Sequence, residues 1–349
     1  MTMPDLPAAP LRLRVDTMAL AANWRALDAM SGAAAAGAAV KANGYGLGVD
    51  SVVPALRDAG CRRFFVAHWG EVPAVLRHLP SSQVCVLHGV TTSDEADFAR
   101  ATGVLPVINS TQQAAVWQAA GGGVCSLMVD TGINRLGIAC DQLADPAVAA
   151  LDVALLLSHL ASADEDSPLN AQQMQRFSAV IPQVGARAAS LANSAGIALG
   201  APYHFDVTRP GIALYGGIVR PEMATSIQPV VQIQAEVIQR RTIGAGDSVG
   251  YNATFTAPRQ MEVATVSIGY ADGFLRVRGV GNSLSAQGRA LPILGRVSMD
   301  MTVVDCTAMP DLAAGDFVDI PMDLPRQSAR SGLSQYELLT ILGQRFARA

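Results

Sequence analysis

Over the first two-thirds of the chain, short and almost uninterrupted apolar runs alternate with stretches whose apolar positions recur at helical spacing. The runs are 37–40, 63–67, 83–87, 105–108, 124–129, 153–157, 188–192 and 205–208. Most lack the in-out alternation of a half-exposed sheet, which is the pattern of parallel strands covered on both faces. The intervening segments 51–59, 70–78, 95–102, 111–120 and 171–180 carry the 3.6-residue period of amphipathic helices. Eight strand–helix repeats within about 200–250 residues have the size of a (β/α)8 barrel.

The pattern changes after Gly217. Helical periodicity fades, and strand-like runs at 230–239, 263–268, 290–293, 301–305 and 317–320 are punctuated by Gly and Pro. A last helix is predicted over 334–345, opened by Ser334 and Glu337 in the spacing of a capping box. The fold class is therefore α/β: a (β/α)8 TIM barrel over 11–229, followed by a mainly β C-terminal domain over 230–349, with residues 1–10 able to pack on the latter.

Composition narrows the function. Half of the 349 residues are hydrophobic, 15% are charged and the net charge is −4. A large core is affordable, and no basic run marks a nucleic-acid partner. No apolar stretch is long enough to cross a bilayer, and residues 1–10 lack a signal-like n-region and apolar block, so a cytoplasmic location is expected. Five cysteines, at 61, 85, 125, 140 and 306, match no zinc or CxxC spacing. They read as structural, and no metal is expected.

In such barrels the chemistry lies at the carboxyl ends of the strands. The first run ends at Lys41, followed by glycines at 44, 46 and 48. A lysine there fits a desolvated amine suited to a Schiff base, or a lysine that snorkels to solvent. The fifth run leads to Arg135, the sixth to His159, the seventh to Ser194 and the eighth to Arg209 and Gly211. Loops after the last two strands commonly hold phosphate, for which Ser194 offers a hydroxyl and Gly211 and Ile212 offer backbone N–H groups. His159 alone is as consistent with a satisfied core histidine, and Arg135 alone with an ion pair. Tyr251 and Tyr270 sit in Gly-flanked turns, where a tyrosine is commonly only a turn aromatic.

Taken together, these segments resemble the alanine racemases, barrel enzymes of the pyridoxal 5'-phosphate (PLP) class. The resemblance runs from about Leu11 to Arg348. It rests on Val-Lys-Ala-Asn-Gly-Tyr-Gly at 40–46, Asp-Thr-Gly-Ile-Asn-Arg-Leu-Gly at 130–137, Asn-Ser-Ala at 193–195, Arg-Pro-Gly-Ile-Ala-Leu-Tyr-Gly at 209–216, Gly-Tyr-Asn-Ala-Thr-Phe at 250–255, Gly-Tyr-Ala-Asp-Gly at 269–273 and Ser-Met-Asp at 298–300. Each piece is short, but their order and spacing are specific. The resemblance implies interconversion of L- and D-alanine by two bases. Lys41 would hold PLP covalently and serve one face of the substrate; Tyr251 would serve the other from a second subunit of a homodimer. Tyr45, Ser194, Gly211 and Ile212 would hold the phosphate, Arg209 the pyridine nitrogen, and His159 would orient Arg209. Asn193 and Tyr215 are likewise assigned to the cofactor. Arg135 would meet the cofactor's phenolic oxygen and the substrate carboxylate. Met299 would meet that carboxylate through its backbone, Tyr270 would narrow the pocket, and Asp300 belongs to the substrate side.

Two positions depart from the family pattern. Seven residues before Arg135, many members carry a lysine that can be carbamylated and that positions the arginine; this chain has Met128. Where some members have a phosphate-proximal tyrosine, an ungapped match places Gln344. A broader small-amino-acid racemase acting on serine is compatible with these changes. A non-catalytic PLP-carrier barrel would lack the second domain. A barrel decarboxylase would need a Gly-rich phosphate turn at the opposite barrel end from 121–123.

Overall fold

The computed structural model describes residues 7–348. Residues 1–6 and 349 of the two expected domains lie outside the described residues. Two compact units emerge: Thr17–Gln228, and residues 7–16 together with 229–348.

The larger unit is a parallel barrel. Its first strand, 35–39, is broken at Gly37 into Ala35–Ala36 and Ala38–Ala39. The others are Phe64–Val66, Val84–Val86, Leu105–Ile108, Val124–Asp130, Asp152–Leu157, Ala189–Ser190 and Val207–Thr208. Adjacent strands pair in parallel from Ala38–Ala39 through Ala189–Ser190. The eighth strand closes the ring. It pairs in parallel with Ala35–Ala36, and on its other side Asp206 and Arg209 donate to the Ala189 and Ala192 carbonyls at 3.0 and 2.8 Å.

Every strand predicted from an apolar run is present, because each is covered on both sides. One set of side chains, including Phe65, Cys85, Val107, Met128, Leu155, Leu157 and Val207, fills the barrel interior. The alternate set, including Leu127, Val129 and Leu156, packs outward with residues of the surrounding helices. Those helices start and stop where local chemistry allows. Pro168–Val184 is capped by the Ser167 hydroxyl, has proline in its first turn, and ends at Gly185 with φ of 64°.

The smaller unit is a closed, mainly antiparallel barrel. Its strand order is Met261–Val266, Thr302–Asp305, Arg289–Leu294, Ser283–Ala286, Phe317–Ile320, Val231–Ile243, Leu11–Val15 and Ala347–Arg348. The 13-residue strand Val231–Ile243 bends through a register shift between Val237 and Gln239 and also pairs with Met261–Val266, which closes the ring. Leu11–Val15, read above with the first barrel, pairs antiparallel with Val231–Ile243. Its strict alternation, with Leu11, Leu13 and Val15 buried and Arg12 and Arg14 exposed, is that of a one-faced sheet strand. The last helix spans only Gln335–Thr340. The capping box is present, but the chain leaves the helix well before Arg345, which is bonded elsewhere. No described helix is long and apolar enough to cross a membrane.

Candidate active site

Strand parity carries polar residues to one mouth of the parallel barrel. Met128, Leu157 and Val207 all point inward. Two residues on, the same face of each strand reaches Asp130, His159 and Arg209. Lys41 follows the first strand at the same end.

Arg209 is buried at 7% exposure. Its guanidinium donates to the Ser190 hydroxyl and, at 2.5 Å, to the Ser158 carbonyl. Among the described residues no carboxylate is paired with it, and burial pulls its pKa down to about 10. His159 is driven down to about 3, first by burial and then by Arg209, Arg135 and Lys41, so its imidazole is neutral at pH 7. The Lys41 amine is also lowered, by burial first and then by Arg135, against an opposing pull from Glu71; Arg209 lowers it further. Three cations thus converge around a neutral imidazole. Such a cluster is complementary to an anionic ligand.

Lys41 enters this cluster through an unusual backbone. Ala42, Asn43, Gly44 and Tyr45 have φ of 54°, 54°, 63° and 55°, one left-handed turn. Glu71, which the sequence reading did not single out, holds that turn: its carboxylate accepts the N–H of Ala42 at 2.5 Å and of Ala67 at 2.6 Å. The turn delivers the Tyr45 ring onto Tyr215, with centroids 4.5 Å apart and planes at 23°. Tyr215 is fully buried and donates its hydroxyl to the Ala39 carbonyl at 2.9 Å.

Beside Tyr45 lies a cradle for an anion. Ser194 Oγ accepts N–H groups from Gly211 (2.9 Å) and Ala213 (3.2 Å). Asn193 caps the short helix Ser194–Ala198 by accepting the Gly196 N–H at 2.8 Å. Ile212 opens the turn that follows Gly211. A Cβ at Gly211 would lie 2.2 Å from the Tyr45 hydroxyl, so only glycine leaves this space open. A hydroxyl pair, a backbone turn and a cluster of cations, with a desolvated lysine among them, fit a phosphate-bearing aldehyde such as PLP. Among the described residues, no group of three or more His, Cys, Asp or Glu is placed to hold a metal. The buried thiols of Cys61, Cys85 and Cys125 are pushed up to about 12, 11 and 12 by burial, which keeps them protonated.

The remaining sequence-selected residues belong to the smaller unit. Tyr251 lies 64% exposed in a turn between Gly250 (φ 74°) and Asn252 (φ 64°). Tyr270 and Met299 are carried by two loops zipped together: the N–H of Tyr270 meets the Ser298 carbonyl and that of Ala271 the Met299 carbonyl, both at 3.0 Å. The zip is locked by Arg345, which reaches both oxygens of buried Asp272 (2.7 and 2.9 Å) and also Asp300 (2.7 Å). Asp300 therefore acts here on a loop-locking arginine. Asp272 lies in the 269–273 motif but was given no role, and Arg345 did not stand out, because they pair across 73 residues.

The sequence model of the alanine racemase N-terminal domain matches residues 15–219, and that of the C-terminal domain matches 230–349. An alanine racemase of Rhizobium meliloti is 40% identical, covering 100% of this chain and 98% of its own. A biosynthetic alanine racemase of Agrobacterium fabrum is also 40% identical, over 97% and 93%. Among solved structures, the alanine racemase of Bartonella henselae with covalently bound pyridoxal phosphate superposes with a TM-score of 0.91 at 35% identity, covering 98% and 99%. Biosynthetic alanine racemase of Pseudomonas aeruginosa gives 0.87 at 33% identity, over 98% and 99%. With both of its parts matched by the family's domain models and its whole length matched at 40% identity, the chain belongs to the alanine racemase family.

Proposed function

We propose that this protein interconverts L- and D-alanine as a PLP-dependent, two-base racemase, working as a homodimer in the cytoplasm. The observation that carries the reading is the cluster of Lys41, Arg135 and Arg209 around a neutral His159, beside the Tyr45–Ser194–Gly211 cradle.

Tyr45, Ser194, Gly211 and Ile212 hold the phosphate, with Asn193 fixing the Ser194 helix and Tyr215 backing Tyr45. Arg209 would pair with the ring nitrogen through a guanidinium that stays protonated at neutral pH and so releases no proton there. His159 packs as an uncharged wall beside it. When bound, PLP supplies an electron sink that acidifies the α-C–H of the amino acid it carries. Lys41 anchors the cofactor and moves a proton at the substrate Cα on one face; its lowered protonation makes the free amine more available. Tyr251 moves the proton on the opposite face, supplied by the second subunit. Its exposed place in a surface turn supports that role. Arg135 receives the substrate carboxylate; in the smaller unit, the Met299 backbone and Tyr270, held by the Arg345 lock, are the candidates for contacts to the substrate.

Incubation of PLP-loaded protein with L-alanine in D2O tests this. D-alanine carrying α-deuterium is expected. Exchange with retained L-configuration leaves one working base and removes the two-base reading. No exchange despite bound PLP removes the racemase reading.

A further inference from the structure

The fifth barrel strand ends in Asp130, whose carboxylate gathers four consecutive backbone N–H groups. Oδ1 accepts from Gly132 (2.8 Å), Ile133 (3.0 Å) and Asn134 (3.2 Å), and Oδ2 accepts from Arg135 (3.1 Å). Bonds to an ionised acceptor are roughly twice as strong as neutral ones. The loop is also held at both ends. Arg176 donates to the Thr131 carbonyl at 3.0 Å, and the Thr131 and Ser158 hydroxyls share a bond of 2.7 Å. The chain returns through Gly137, where a Cβ would lie 2.7 Å from the Asp130 nitrogen, and Val129 and Asp130 pair with Ile138 and Ala139.

The Arg135 side chain is treated quite differently. It is exposed, and among the described residues its guanidinium makes no hydrogen bond or ion pair. Met128 is packed into the barrel interior and offers it no polar contact. The described grip on Arg135 is therefore through its backbone. Its charge is nonetheless the strongest single one acting on Lys41. An arginine so placed needs its main chain fixed if its fork is to meet a carboxylate in one geometry.

We infer that Asp130 is a positioning residue for Arg135, setting the direction of the guanidinium by clamping four successive amides instead of by touching the side chain. The inference rests on the reading of Arg135 as the receiver of the substrate carboxylate.

The test is a double-mutant cycle on the PLP-loaded enzyme: Asp130→Asn, Arg135→Ala and the pair, with KM and kcat for L-alanine, joined to amide hydrogen exchange over 131–136. Asp130→Asn keeps the volume and removes the charge and one acceptor. It should speed exchange of the 132–135 amides by about tenfold or more and raise KM by about tenfold, with a smaller change in kcat. In the Arg135→Ala background, the same substitution should change KM by less than about twofold. Equal KM effects in both backgrounds would assign Asp130 a general structural role and overturn the inference. So would unchanged exchange over 132–135. If Arg135→Ala leaves KM unaltered, the assignment of Arg135 itself falls, and the inference with it. Should Asp130→Asn not fold, Asp130→Glu, which keeps the charge but displaces it by one methylene, enters the cycle in its place with the same expectations.

Discussion

The two units hold their candidate residues in opposite ways. In the parallel barrel, most candidate side chains at the mouth are themselves fixed: Arg209 is bonded to Ser190 and Ser158, Tyr45 is stacked on Tyr215, and Ser194 is engaged by two N–H groups, with Arg135, gripped through its backbone, as the exception. In the smaller unit, Tyr251 is 64% and Met299 53% exposed, and at Tyr270 and Met299 what is fixed is the backbone, by the zipped loops and the Arg345 lock. Preorganisation can thus reside in the side chain or in the peptide that presents it. The first suits a group that never leaves a cofactor. The second suits groups that meet a small substrate arriving from solvent.

The largest expected effect lies on the barrel side. Lys41→Ala should lower racemisation by about 10³-fold or more, the range of losing a positioned acid–base group, as read by chiral assay. A variant that keeps near-normal turnover would erase the contrast, since the lysine at the centre of the barrel's cluster would then be dispensable. Next comes the cradle. Gly211→Ala sets a methyl against the Tyr45 hydroxyl and should weaken PLP binding on the order of 100-fold, or about 2.7 kcal/mol, in a spectroscopic titration. On the other side, Arg345→Ala leaves buried Asp272 without its cation. It should destabilise the fold by about 2 kcal/mol in denaturant melts, less than a fully buried pair because Arg345 is half-exposed. It should also raise KM for alanine, whereas Arg345→Lys should recover part of both losses. A stability loss with KM unchanged would detach the lock from the substrate loops.

The last effect is one of pH and is read as a slope, not as the loss of a function. His159 is held neutral in the folded protein down to about pH 3, while the unfolded chain protonates it near the ordinary value of about 6.5. Its contribution to stability is therefore complete above pH ~6.5 and is lost as pH falls toward 3, with a slope of at most about 1.4 kcal/mol per pH unit. His159→Gln should flatten unfolding free energy against pH in that window. An unchanged slope would mean that His159 is not desolvated and that the barrel mouth is wetter than the packing indicates.

Much of the barrel was legible because its strands are covered on both faces and leave continuous apolar runs, with Lys41, His159 and Arg209 next in line at their ends. Leu11–Val15 was misplaced because its antiparallel partner strand lies about 220 positions away, and no local pattern says which sheet a strand joins. The last helix was read too long because Arg345 is drawn to Asp272 and Asp300, a tertiary pull stronger than helix propensity. Glu71 and Ser190 were missed, and Ser158 was given no role, for a related reason: their bonds to Ala42 and Arg209 span distant positions. Asp130 had a local signal, an acid closing an apolar run before Thr-Gly, but its reach over four amides is visible only in three dimensions.

The left-handed turn after Lys41 bears on how this protein can change under selection. Ala42, Asn43 and Tyr45 each adopt a backbone that costs an L-residue roughly 1–2 kcal/mol. Glycine at position 42 would relieve most of that locally, for a net gain of about 0.5–1 kcal/mol after its greater freedom in the unfolded chain is counted. It would also slacken the link that aims Lys41. A screen for heat tolerance and a screen for turnover should therefore drive residue 42 in opposite directions, the first toward glycine and the second back to alanine.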